Sequence, residues 1–142
     1  MRIELGYPDE KSERQLLMGA DPRERIEAMS AAVNLVQFSE LQKQVDKVSA
    51  SDALLDYLQR LVHYTRTSQE FHVGLSPRGA LSLLKSAKAW ALLDGRSHVI
   101  PEDVQAVAVS VIAHRVRDDS GLGEQSGVPL VEILLKSVEV VV

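Results

Sequence analysis

Near the start of the chain, apolar Ile3 and Leu5 alternate with Arg2 and Glu4 before the pattern breaks at Gly6-Tyr7-Pro8. This predicts one short strand or an extended lead-in. From Asp9 the period lengthens: "DEKSERQLLMG" places its acids early and ends on Gly19, as a helix does. Residues 21–37 are helix-prone but show no clear stripe. Ser39 caps "SELQKQVDKV", where Leu41 and Val45 stand four apart, and "KVSASD" then reads as extended. Ser51 or Asp52 starts the clearest helix, with Leu54, Leu55, Leu58, Leu61 and Val62 on one stripe as far as about Arg66. After the loop "TSQEFHVG", Ser76 and Pro77 supply a cap and a first-turn proline. The helix they open is expected to bury Leu81, Leu84, Ala87 and Ala91, with Leu83 and Trp90 beside them, and to stop at Asp94-Gly95. Pro101 begins another, with Val104, Val107, Ala108, Val111 and Ile112 facing inward and Arg115 and Arg117 at its negative end. A polar, glycine-rich loop near 118–129 precedes a short helix, "LVEILLKSV", and a strand-prone tail, "VEVVV". That tail is able to pair with "VDKVSA" or with Ile3–Leu5. The expected fold is mainly α: about five helices, with at most a small β-element from the N- and C-terminal segments.

Composition narrows this picture. A chain of 142 residues suits one domain, and with 4% aromatic residues its core must be aliphatic. Without cysteine there are neither disulfides nor thiolate metal sites, which is compatible with the cytosol. The sequence shows no leader pattern and no apolar run approaching the roughly 18 residues of a membrane span, so a soluble, cytoplasmic protein is expected. The net charge of −4 is unevenly spread. Residues 60–96 carry Arg60, Arg66, Arg78, Lys85, Lys88 and Arg96 against only Glu70 and Asp94. That middle third is either part of a mixed solvated surface or a face turned toward an anion.

Most familiar chemistry is missing. Gly74-Leu-Ser-Pro-Arg-Gly79 has the glycine spacing of a P-loop, but Ala80-Leu81 stands where the lysine and hydroxyl belong. His63, His72, His98 and His114 show no i, i+4 pairing, so no metal site is expected. Glu102 and Asp103 read as first-turn helix acids rather than an acid/base couple. The chain by itself is not expected to be catalytic. One residue stands out. Arg78 falls in a helix first turn, where free amides and the macrodipole already favour an anion and a cation is disfavoured by roughly 0.3–1 kcal/mol. Either it reaches solvent or pairs locally with Glu70 or Asp94, or the guanidinium and the amides form one phosphate-binding site.

The segments "LGYPDE", "YTR", "GLSPRGALSLLKSAKAWALLDGR", "VIPEDVQAVAVSVIAHRV" and "VEIL" occur in the order, and nearly the whole span, of the C-terminal part of MoxR-family AAA+ ATPases, which the chain resembles. It departs from the family at "GLSPRG", where many members read "GASPRA", and at Ile100, where a polar cap is common. The resemblance implies a helical lid over residues 9–142, with residues 1–8 the end of the ATPase core and its hinge. It implies that Arg78 is the sensor 2 arginine, reaching the γ-phosphate of ATP with Ser76 and Pro77 beside it. Arg66, His114 and Arg115 match further family motifs, with subunit-interface or structural roles. In the parent enzyme it implies ATP and Mg²⁺, ATP hydrolysis, a hexameric ring of neighbouring subunits, and chaperone-like maturation of von Willebrand A-type clients. The alternatives are a stand-alone helical interaction or nucleic-acid-binding module and a dimerisation bundle. The pI of about 5.5 and the lack of aromatics among the basic residues argue against nucleic acid.

Overall fold

A computed structural model describes residues 1–19, 22–118 and 127–140, with the backbone alone at 22, 24 and 25. The described residues form seven helices: α1 (Glu10–Leu17), α2 (Pro22–Glu27), α3 (Leu35–Lys47), α4 (Asp52–Thr67), α5 (Pro77–Leu93), α6 (Pro101–Ile112) and α7 (Gly127–Ser137). They fall into two compact units, residues 3–40 and residues 1–2 with 41–142. Glycine-rich residues 119–126, most of the expected loop, lie outside the described residues. The helical bundle agrees with the expected fold class. The helix count is higher because α1 and α2 are short elements near the N-terminus and α3 begins four residues before Ser39.

The larger unit holds the core. α5 and α6 share its most extensive helix–helix contact, α6 also packs on α7, and α4 packs on both α7 and α5. Val104, Val107, Ala108, Val111 and Ile112 of α6 are all buried, as their spacing predicts. In α4 the stripe holds at Leu54, Leu58, Leu61 and Val62, whereas Leu55 is exposed and Tyr57 is fully buried. α5 corrects the expected face. Leu83, Ala87 and Ala91 are buried, Leu84 only partly, while Leu81 is 69% and Trp90 49% exposed. The helix carries alanine and leucine around most of its circumference, so its own periodicity selects no single face.

Among the described residues the terminal segments form no β-element, within the expected bound of at most a small one. Ile3 and Leu5 are exposed and belong to no strand, and neither does the described end of the tail at Glu139–Val140. Two isolated bridges occur instead, parallel between Ser49 and His98 and antiparallel between Val73 and Arg117. The first joins the segment before α4 to the segment after α5, with Ser49 N–H donating to Ser97 O and Val99 N–H to Ser49 O, both at 2.9 Å. The second ties the loop before α5 to the end of α6. Both bridges brace loops that deliver α5 and α6 to their packed positions.

The smaller unit is different in kind. α1 has a proper cap, with Asp9 Oδ1 accepting from Ser12 N–H at 2.7 Å. At α3, Asn34 and Gln37 exchange reciprocal side-chain bonds of 2.8 and 3.0 Å. Yet every described side chain from residue 3 to 40 is exposed. Local capping shapes these helices; no burial holds them.

Candidate functional site

The N-terminus of α5 is built as its sequence predicts. Ser76 is the N-cap, its Oγ accepting from Gly79 N–H at 3.1 Å, and Pro77 opens the helix. The first turn contains no acid. Arg78 is exposed there, and its guanidinium makes no hydrogen bond or ion pair among the described residues. Both local partners considered for it are engaged elsewhere. Glu70 Oε2 accepts from Tyr64 OH at 2.8 Å and from Ser68 Oγ at 3.1 Å. Asp94 Oδ2 accepts from Arg96 Nη2 at 3.0 Å and Nε at 3.2 Å. A planar five-donor cation therefore stands open at a turn where Gly79 N–H is capped by Ser76 Oγ and Ala80 N–H bonds Ser76 O, so its own guanidinium donors are what suit phosphate oxygens.

The loop leading into this turn is held from α4. Thr65, fully buried, donates to Val62 O at 2.7 Å and accepts from Leu75 N–H at 3.0 Å. Next to it, Arg66 Nε donates to Leu75 O at 3.0 Å. Arg66 thus reaches across to the loop instead of capping its own helix. A Cβ on Gly74 would collide with the Thr65 carbonyl, so only glycine allows the loop to lie this close to α4. Leu75, 1% exposed, then fills the space beneath the first turn of α5. A Cβ at Gly79 would lie 2.5 Å from Leu75 Cδ1 and 3.5 Å from Arg115 Cδ. The departure from "GASPRA" is thereby explained. The larger residue at 75 occupies the volume that an alanine at 79 would need.

The remaining predicted residues divide. Arg115 packs its stem by Gly79 and donates from Nη1 to Val111 O, capping the end of α6. His114 is exposed; partial desolvation first, then the Arg115 charge, holds its imidazole below the usual value. Neither side chain is brought into hydrogen-bonding contact with Arg78.

Sequence reasoning missed two features. Thr65 continues the buried stripe of Leu58, Leu61 and Val62, and a polar residue on an apolar stripe signals a buried hydrogen-bond partner. Asp103 is not a surface helix acid. Its two oxygens accept from Arg96 Nη1 and Nη2, each at 2.6 Å, and Oδ2 also accepts from Ile100 N–H at 2.9 Å. That last bond is the half of a capping box that needs no polar N-cap, which is why isoleucine is tolerated at 100. Arg96 thereby ties the end of α5 to the start of α6.

A family model described as the AAA lid domain matches residues 63–134, which contain Thr65, Arg66, the α5 turn and the Arg96–Asp103 pair. The chain belongs to the AAA lid domain family. Its relatives place it on the MoxR branch. It is 32% identical over 126 residues to the protein named chaperone MoxR1 of Mycobacterium tuberculosis, covering 81% of this chain and 32% of that protein. Identity to protein MoxR of Paracoccus denitrificans is 51% over 43 residues, 30% of this chain and 13% of that one. The uncharacterized protein YeaC of Bacillus subtilis is 34% identical over 115 residues, 81% of this chain and 36% of YeaC. A solved structure from Cytophaga hutchinsonii, provisionally assigned as an ATPase, superimposes with a TM-score of 0.77 at 25% identity, covering all of this chain and 46% of that one. This MoxR-like AAA+ lid spans about a third of the length of YeaC and MoxR1. No helix among the described residues is long and apolar enough to cross a membrane.

Proposed function

We propose that this lid closes on ATP bound to an AAA+ core and that Arg78 is its sensor 2 residue, meeting the γ-phosphate at the α5 N-terminus. The single observation behind the reading is the unpaired, exposed guanidinium in an acid-free first turn. Ser76 and Pro77 shape that turn, Ser76 taking up the Gly79 and Ala80 amides and Pro77 offering none, so the guanidinium is the donor group presented there. A cation held there stabilises the charge that spreads over the transferred phosphoryl group, as arginines do in other phosphoryl-transfer sites. ATP with Mg²⁺ supplies the reacting phosphate; the lid supplies donors, orientation and a report of which nucleotide is present. A relative named chaperone MoxR1 supports a chaperone-like role, in which the ATP cycle drives maturation of partner proteins; a cytoplasmic hexameric ring is part of the same proposal. Von Willebrand A-type proteins are the proposed clients. The division at residues 8 and 9, between the end of the core with its hinge and the lid, belongs to the same reading, as do subunit-interface or structural roles for Arg66, His114 and Arg115.

The test is Arg78→Ala in the full-length protein. ATP turnover is expected to fall by roughly 10²-fold, with the thermal midpoint unchanged because the side chain is exposed and unpaired. Wild-type turnover and ATP affinity in that variant would reject the reading.

A further inference from the structure

We infer that Thr65 and Arg66 are positioning residues for Arg78: a two-residue clamp at the end of α4 sets where the sensor turn of α5 begins. The inference rests on the reading of Arg78 above and adds to it the device that places that side chain.

Both backbone polar groups of Leu75, the residue before the N-cap, are taken by neighbouring side chains on α4. Its N–H goes to Thr65 Oγ1 and its C=O to Arg66 Nε, each at 3.0 Å. Few loop residues are held at both ends in this way, because loop amides and carbonyls ordinarily turn to water. Thr65 is itself held, since its hydroxyl hydrogen is committed to Val62 O at 2.7 Å, leaving its lone pairs to accept from Leu75. A Cβ at Gly74 would collide with the Thr65 carbonyl and lie 3.0 Å from Arg66 Cγ, so the loop already rests against both clamp residues. Downstream, the Leu75 side chain is wedged under Gly79, one residue past Arg78. The linkage is therefore continuous: α4 side chains fix the Leu75 backbone, Leu75 fixes the height of the first turn, and the turn carries Arg78. Displacements of about 1 Å in positioning groups can cost on the order of 10²-fold in rate.

Arg66→Met removes one arm from an exposed side chain, so the fold should survive. Thr65→Ser keeps the hydroxyl and Thr65→Val removes it at nearly constant volume. In the full-length protein, Arg66→Met should lower kcat for ATP by roughly tenfold with a much smaller change in KM. Thr65→Val should do the same, and Thr65→Ser should retain most of the activity. In an Arg78→Ala background, Arg66→Met should add no further loss, because the clamp acts only through Arg78. In the chain described here, Arg66→Met should speed hydrogen exchange at the Leu75 and Gly79 amides while leaving the α6 amides unchanged. If Arg78→Ala impairs turnover and Arg66→Met leaves both kcat and the Leu75 and Gly79 exchange rates at wild-type values, the clamp is refuted and the sensor reading stands. Losses that multiply in the double variant refute it equally. Normal turnover in Arg78→Ala removes the sensor reading and, with it, the clamp's purpose.

Discussion

Leu75 and Gly79 show how two unremarkable residues define one another. Gly79→Ala gains helix propensity of about 1 kcal/mol, but its methyl would stand 2.5 Å from Cδ1 of a buried leucine, which must shift within the packed core to admit it. The expected net effect is a destabilisation of about 1 kcal/mol in urea unfolding. Leu75→Ala should cost about 2–4 kcal/mol through the cavity it leaves. The double variant, which restores the "GASPRA" pairing, should be less destabilised than the sum of the two by at least about 1 kcal/mol. Strict additivity would mean that the two side chains do not compete for the same space. The same residue-scale logic separates the arginines. Arg66, Arg96 and Arg115 each donate to a named carbonyl or carboxylate, whereas Arg78 does not.

At the scale of elements, the Arg96–Asp103 pair joins α5 to α6. The side chains are 23% and 2% exposed, so this is a largely buried, bidentate contact rather than a surface ion pair. The Arg96 hydrogen bonds, with help from Ile100 N–H, hold the Asp103 carboxyl below the usual range, while desolvation opposes them. Because the folded-state pKa is depressed, the stabilisation is complete above the ordinary aspartate value near 4 and disappears as pH falls through the folded value. Arg96 is shifted the opposite way, upward, by Asp103 first and Asp94 second, so it stays charged over the whole acid range and adds no acid-side loss. Asp103→Asn should cost up to about 3 kcal/mol at pH 7, because it leaves Arg96 without its main partner. It should also flatten the acid limb of the stability profile below about pH 4. A variant whose acid limb matches the parent's would show that Asp103 does not carry that pH dependence.

Across the whole molecule, stability is unevenly shared. Among the described residues, every buried side chain lies in 41–142 and every side chain of residues 3–40 is exposed. A chain beginning at Leu41 should therefore unfold cooperatively, with a midpoint within about 5 °C of the parent; it gives up the 2.7 Å bond from Arg2 N–H to Ser110 O and keeps every residue of the buried core cluster. Loss of the cooperative transition in scanning calorimetry would show that the first 40 residues contribute to the core after all. A different division governs what could be read in advance. The inward face of α6 was legible because apolar residues occupy one side of it, and the Ser76–Pro77 start because capping needs only near neighbours. The family segments, with Arg78 among them, were legible for the same reason: they are short and contiguous. The buried face of α5, the engagement of Thr65 and Arg66 with a residue nine or ten positions away, and the replacement of a terminal strand by two isolated bridges were settled only when the helices packed. Local order determines where helices start and which chemistry they carry; which side of an all-apolar helix is buried, and which polar atoms meet, depends on neighbours that chain order alone does not place.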